Sequence, residues 1–458
     1  MFESIFLRTI SKINAIMKYN DIQMEHMPKA IEKGINRNAI IYVINIYIKT
    51  VIKGERPEGI PDDIIERTKR FIEEATDILE VKKAPNEEVQ FTFKYKDSQL
   101  LKELGYELNL NKAVLETSLY SEMRLMQNNI ILLQTVICFE DFIAGMFRFL
   151  VTSYPDFYLK DRSITFSEIV KMDHATIRSY LIENEVTNIM WEGFPDWIKR
   201  IEKHKVDLSC LQSYISEYIE IACRRNLIVH NDGVVNQIYL NCVNECKFRN
   251  GEQIYIDQDY LKRAFLIVQI LVYGIIINSI KMDTDNAKGI LSIITTHAFE
   301  SLKAEEWELC MFIYQILKAN KYLSEEDRTY ATINYWITKK NLFGLTLIKQ
   351  EIEETDFSAM QDKFKMGKEM LLENYEAAGE YLDALFPEAI SAEKIETWPI
   401  FIQYRETDKY ISFREKHRDK FSIKTISESP LIDDNGKDII KSLNTQETIL
   451  YDKHVQID

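Results

Sequence analysis

Leu208, Leu211, Ile215, Tyr218 and Ala222 follow one another at alternating steps of three and four, the spacing of one buried helix face. The next member of the series is Arg225, in a segment that reads RRNLIVHNDG. A guanidinium on an apolar seam needs a partner, because an unpaired buried charge is very costly. A carboxylate, a partner subunit or a bound phosphate would each satisfy it. Asn231-Asp232-Gly233 stops the helix, and Gly233 suits a left-handed reversal there.

The same periodicity predicts helices over most of the chain. Residues 1–110 read as mostly helical, with a strongly apolar stretch at Ala39–Lys53 and a break at GERPEGIPDD. Asp62 or Asp63 then caps the helix IIERTKRFIEEATDIL. Val89–Tyr95 alternates and predicts a strand. Residues 112–151 predict one or two long helices, with an apolar face through Ile131, Thr135, Cys138, Phe142 and Phe149. Glu140 and Asp141 interrupt that segment, and one of them is expected to face water. The TFSE box at Thr165–Glu168 opens a helix to about Val170, and further helices are expected over His174–Glu183 and Pro195–His204. Within DWIKRIEKHK, Lys199, Arg200, Lys203, His204 and Lys205 make a compact basic stripe, whose plain reading is a solvated helix face. Asp257 caps an apolar helix running to about Ile280. Its run FLIVQILVYGIIINSI is short for a membrane span and carries Gln269 and Asn278, so a helix buried within a bundle is expected.

From about residue 285 the pattern becomes short amphipathic helices in pairs. Trp307, Leu342, Tyr375 and Tyr410 recur at intervals of 35, 33 and 35 residues, each followed three positions later by Cys310, Leu345, Ala378 or Phe413. That period is the one helix-turn-helix repeat arrays show, and LLENYEAAGEYLDAL resembles the middle of a tetratricopeptide unit. Such arrays carry no chemistry of their own and offer a surface for a protein or peptide partner.

Composition narrows the function more than the fold. The 458 residues suggest two or three domains, and only 14 glycines and 9 prolines agree with helix dominance. A net charge of −15 argues against a generic polyanion binder, so any nucleic acid must meet a local basic patch. The six cysteines form no CxxC pair and no disulfide framework; Cys242 and Cys246 share a helical spacing but lack companion ligands, and read as ordinary thiols. The histidines show no metal spacing, and there is no Walker loop, GxGxxG or GxSxG. No metal and no cofactor are therefore expected. The amphipathic N-terminus does not read as a secretory leader, and a cytoplasmic protein without membrane association is expected.

Arg225 and His230 enclose four residues, and Asn226 stands directly after the arginine. This string resembles the signature of HEPN ribonucleases. ICFEDFIAGMF likewise resembles the first core helix of such domains, where an acidic residue is often found. RRNLIVHN followed by DGVVNQIY is similar to the larger prokaryotic HEPN groups of toxin and defence systems. The resemblance covers roughly residues 113–282. It implies an all-α fold with minor β: a HEPN-like bundle at 113–282, after an N-terminal region of unknown role (1–110). Tetratricopeptide-like repeats at 285–420 and a polar tail at 421–458 would follow.

The implied activity is metal-independent RNA cleavage, in which the 2′-hydroxyl attacks the adjacent phosphate. His230 suits the acid/base role because imidazole titrates near neutrality. Arg225 offers permanent forked donors to phosphate oxygens, and Asn226 would orient the imidazole or a phosphate. Glu140 or Asp141 would hold Arg225, with Arg224 and Asn231 as flanking support. Lys199, Arg200, Lys203 and Lys205 would meet RNA. Five residues along an ideal helix turn by about 140°, so Arg225 and His230 do not converge on one atom from a straight helix. Either the helix distorts, or two subunits of a homodimer pool their motifs, as HEPN proteins generally do. The competing expectation is a capped helix end, with both arginines meeting the macrodipole. The protein would then be a non-catalytic HEPN-like dimerisation or nucleotide-binding module whose repeats recruit a protein partner.

Overall fold

The computed structural model describes residues 2–35, 79–83, 89–93, 110–165, 172–243 and 246–421, with a few isolated positions between them. The described side chains are those of residues 2–24 and, with few exceptions, those from 123 to 421. The expected Ala39–Lys53 stretch, the helix after Asp62–Asp63, the body of the TFSE box and the tail after 421 lie outside the described residues. The chain divides into two compact units. One comprises Met1–Ala298 with Gln315–Ser324, and the other Phe299–Tyr314 with Glu325–Asp458.

Among its described residues the first unit is mainly helical, with one small hairpin. Strands β1 (Leu79–Lys83) and β2 (Val89–Phe93) pair antiparallel with Val81 opposite Phe91, which places a strand where alternation predicted it. Helix α1 (Phe2–Ile35) buries Phe2, Ile5, Phe6, Thr9, Ile10 and Ile13, one stripe at helical spacing. That stripe packs on α2 (Leu110–Ser153), a single unbroken helix. The Phe2 and Phe149 rings lie 4.2 Å apart, and Gly145 lets Ile5 approach to 3.3 Å of its would-be Cβ. So α1, which the sequence pattern sets apart, belongs to the same body as the bundle. On α2 the expected face is buried at Ile131, Thr135, Cys138, Phe142 and Phe149.

Further helices pack around α2. After the short α3 (Pro155–Tyr158), α4 (His174–Met190) is capped by Asp173, whose carboxylate accepts from the Thr176 amide at 2.7 Å. Helix α5 (Phe194–Glu202) buries Phe194, Trp197, Ile198 and Ile201. Helices α6 (Gln212–Asn231) and α8 (Gln258–Ser279) lie against α2, with α7 (Gln237–Cys242) between them in sequence. Asp257 caps α8 as expected, its Oδ1 2.7 Å from the Tyr260 amide. A chain of amides fixes one end of the bundle. Asn20 donates to Gln258, Gln258 to Asn128, and Asn128 to the Ile256 carbonyl at 2.7 Å. Among the described residues two helices are long and apolar enough to cross a membrane: Met123–Ser153 and Gln258–Met282, with mean hydropathies of 1.8 and 1.9. Within the fold 61% and 78% of their most apolar windows are buried. The sequence pattern flagged only the second of them.

The second unit receives the end of α9 (Ala287–Lys303) and most of α10 (Trp307–Leu317). It continues through α11 (Glu325–Phe343), α12 (Lys349–Glu354), α13 (Asp362–Leu371), α14 (Tyr375–Leu385), α15 (Ala392–Thr397) and α16 (Asp408–Lys416). Trp307 and Tyr375 open helices, Tyr410 lies in a first turn, and Cys310, Ala378 and Phe413 are buried. Leu342 breaks the phase, because it lies in the last turn of α11 and Leu345 is only half-buried. Helix α11 is 19 residues long, so equal spacing in sequence does not mark equal positions in the helices. Its buried Lys340 donates to the Leu371 carbonyl at 3.0 Å and pairs with Glu373 at 2.9 Å, which satisfies an otherwise costly internal charge.

Candidate functional site

Helix α6 is continuous through Asn231, and the reversal begins only at Asp232. Asp232 and Gly233 are both left-handed, with φ of 49° and 74°. Both their amides return to the Leu227 carbonyl, which satisfies the end of the helix. Gly233 suits the site through its left-handed backbone and through the room it leaves for the Gln253 amide. A Cβ there would lie 2.7 Å from Gln253 Nε2, an atom that donates to the Asp232 carbonyl at 2.7 Å. Gly233→Ala should cost about 1–2 kcal/mol from the left-handed backbone, plus the loss of that bond. Gly251, φ 87° with open space around it, makes the comparison: Gly251→Ala pays the backbone term alone. The two urea midpoints are expected to separate, and equal midpoints would refute the close-contact account.

The motif residues divide between two sides of α6. Arg225 turns inward and its Nη2 donates to Glu140 Oε1 on α2. The two side chains remain 24% and 30% exposed, so the pair sits at the edge of the core. Arg225 Nε is buried and finds no hydrogen-bond acceptor among the described residues. Burial pushes the Glu140 carboxyl above the usual carboxylate range even with the guanidinium beside it. Desolvation therefore outweighs attraction, and the pair positions Arg225 more than it stabilises the fold. Asn226 and His230, one turn apart, are exposed on the outer face with Val229 between them.

Several expected supports have other partners. Asp141 does not meet Arg225: it projects from a different face of α2 and pairs with Lys12 of α1 at 2.7 Å, because adjacent helical residues diverge by about 100°. Arg224 is an internal residue. Its Nε donates to Glu220, and its guanidinium stacks 4.0 Å from the Tyr260 ring and 5.2 Å from the Phe248 ring. Glu220 also accepts from the hydroxyls of Tyr239 and Tyr260, each at 2.6 Å. Sequence reasoning missed this cluster, although Glu220 stands four residues before Arg224 and that pair was legible. Asn231 donates to the Val234 carbonyl and braces the turn.

The basic stripe is likewise split. Lys199 pairs with Asp196 at 3.0 Å, and Arg200 grips Glu192 through two bonds of 2.6 and 2.5 Å. Lys203 and Lys205 are exposed. His204 is enclosed by Tyr154, Phe157 and Tyr158, with its Nε2 2.9 Å from the Tyr158 hydroxyl, and burial pulls it below the ordinary histidine value. Among the described residues no group of histidine, cysteine and carboxylate side chains could hold a metal ion.

One further feature lies along α2. Met123, Met126, Ile130 and Ile137 are exposed at helical spacing, and three residues beyond Ile137 stands Glu140. Ile137 is 43% exposed, and Val229 on α6 is 49% exposed. No protein-family model, no curated protein and no solved structure matches this chain.

Proposed function

We propose that this protein is a metal-independent endoribonuclease of HEPN type, active as a homodimer with a composite site. The observation that carries this reading is that α6 stays one unbroken helix between its two motif residues. Arg225 is anchored inward on Glu140 while His230 stands in solvent, so one chain does not bring both to a single phosphate. Two chains facing across a two-fold axis do, with a pair of histidines and a pair of arginines around the RNA. The exposed apolar stripe from Met123 to Ile137, with Val229, supplies a surface that such an association would bury. His230 takes the proton of the 2′-hydroxyl or gives one to the leaving 5′-oxygen. Arg225 stabilises the phosphorane, and Asn226, one turn before His230, orients the ring or a phosphate oxygen. Dependence on the 2′-hydroxyl makes the substrate RNA.

The setting that belongs to this reading is a cytoplasmic toxin or antiviral defence effector, by resemblance alone. In it α8 is a core helix, which its burial supports, and the tetratricopeptide-like second unit receives a protein or peptide partner. A second reading has one specific observation in its favour: both arginines already meet carboxylates, Arg224 on Glu220 and Arg225 on Glu140. The bundle would then be a non-catalytic dimerisation or nucleotide-binding module.

The deciding experiment is cleavage of labelled RNA in EDTA. Wild type should cut, the product should carry a 2′,3′-cyclic phosphate, and His230→Ala should reduce the rate to background while circular dichroism stays unchanged. Absence of cleavage, or its survival in His230→Ala, returns the protein to the second reading.

A further inference from the structure

Within the second unit, Glu376, Glu380 and Asp383 stand at steps of four and three along one face of α14. Asp408, Ser412 and Lys416 follow at steps of four on α16, with Lys409 beside Asp408. The two faces border a cavity of about 390 Å³. Two ion pairs join its walls: Lys409 holds Glu376, and Lys416 holds Asp383 at 2.8 Å. Glu380 and Asp408 line the same cavity, one from each helix, and neither carboxylate has an ion pair or a hydrogen bond among the described residues. The inner wall is aromatic, from Tyr375, Tyr404 and Phe413, with the Tyr375 and Tyr404 ring centroids 5.6 Å apart. Tyr404 is only 2% exposed, yet its hydroxyl makes no hydrogen bond among the described residues. Buried polar groups are ordinarily satisfied, so this one points to a missing partner. Burial, with Asp383 alongside, pushes it up to about 12, so it is an intact hydroxyl at neutral pH. Gly379 also lines the cavity, and a Cβ there would meet nothing within 4 Å.

We infer that this cavity is a binding site for an arginine side chain of a basic peptide. A guanidinium is planar and always charged, so it stacks on an aromatic wall while its forked N–H groups reach carboxylates. Glu380 and Asp408 are the two acceptors not already committed, and the Tyr404 hydroxyl accepts a further N–H. Each lysine of the cavity is neutralised by its own carboxylate, which leaves the cavity negative. That favours a cation over the phosphate or carboxylate that free lysines would attract. A lysine side chain meets the same charge but brings neither plane nor fork, so it binds less tightly. The volume falls in the range of about 300–1,000 Å³ usual for ligand cavities. The site deepens the reading of the second unit as a receiver of a protein or peptide partner, and rests on that reading rather than on nuclease activity.

The test titrates the full chain into a fluorescein-labelled peptide of glycine and serine with two central arginines, and reads fluorescence anisotropy. Peptides with two lysines or two glutamates in their place are measured alongside. Saturable binding is expected, tightest for arginine, weaker for lysine and absent for glutamate. Glu380→Gln removes one charged acceptor and should weaken the arginine peptide by about tenfold. Gly379→Leu should fill the cavity and abolish binding while circular dichroism stays unchanged, since leucine is the better helix former. That variant keeps the net charge of −15, so it separates the cavity from general attraction to an acidic protein. The inference is overturned if Gly379→Leu binds the arginine peptide like wild type, if Glu380→Gln changes nothing, if lysine or glutamate is preferred, or if no peptide saturates below about 1 mM. Binding that survives Gly379→Leu puts the peptide elsewhere on the chain, so the cavity fails while the peptide-receiving reading stands. Glu380→Gln, which alters an exposed and unpaired side chain, decides the matter should the leucine variant fold poorly.

Discussion

Glu220→Ala should destabilise the first unit by about 2–3 kcal/mol, below the range for a fully buried pair because Arg224 and Glu220 keep 13% and 21% exposure. Glu220 is the common acceptor for the Arg224 guanidinium and the hydroxyls of Tyr239 and Tyr260. Its removal leaves a guanidinium only 13% exposed without a counter-charge, and two phenols without an acceptor. Burial and the adjacent carboxylate push both tyrosines above their ordinary value, so they remain protonated donors through the neutral range. Glu220→Gln keeps a carbonyl acceptor but no charge, and should fall between wild type and alanine. The measurement is hydrogen exchange of peptides covering α6 and the start of α8, where protection should fall in the same order. Alanine and glutamine variants within about 0.5 kcal/mol of wild type, as for ordinary surface changes, would show that the cluster contributes nothing.

Phe139→Ala is expected to cost about 3–5 kcal/mol by cavity formation. Phe139 is fully buried on α2, with ring centroids 4.5 Å from Tyr218, 5.6 Å from Phe194 and 5.9 Å from Phe142. It therefore joins α2 to α5 and α6, and those rings are too rigid to collapse into the space it leaves. It also neighbours Glu140 in sequence, so a loosened α2 would release the anchor of Arg225. Protection in peptides spanning 131–150 and 212–231 should fall by about a hundredfold or more. Phe139→Leu, which keeps most of the volume, should cost less than half as much. A similar loss for leucine and alanine would refute the cavity argument.

What was legible in the sequence was local. Helical periodicity located α2, α6 and α8, alternation found β2, and the caps at Asp257 and the reversal at Asp232-Gly233 followed from side chains a few residues apart. The anomaly at Arg225 was legible too, since a charge on an apolar seam demands a partner, and Glu140 is that partner. The tertiary structure decided between residues that sequence left equivalent. Glu140 and Asp141 are neighbours, yet their helical divergence sends one to Arg225 and the other to Lys12. Arg224 and Arg225 are neighbours, yet one is locked among Tyr239, Tyr260 and Phe248 while the other borders solvent. Cys223 of α6 packs on the small core that holds Tyr239 of α7 only because the turn folds α7 back on α6. Periodicity fixes which face of an element is buried. Which partner a polar group on that face finds depends on distances between elements far apart in the chain, and those distances are set by packing.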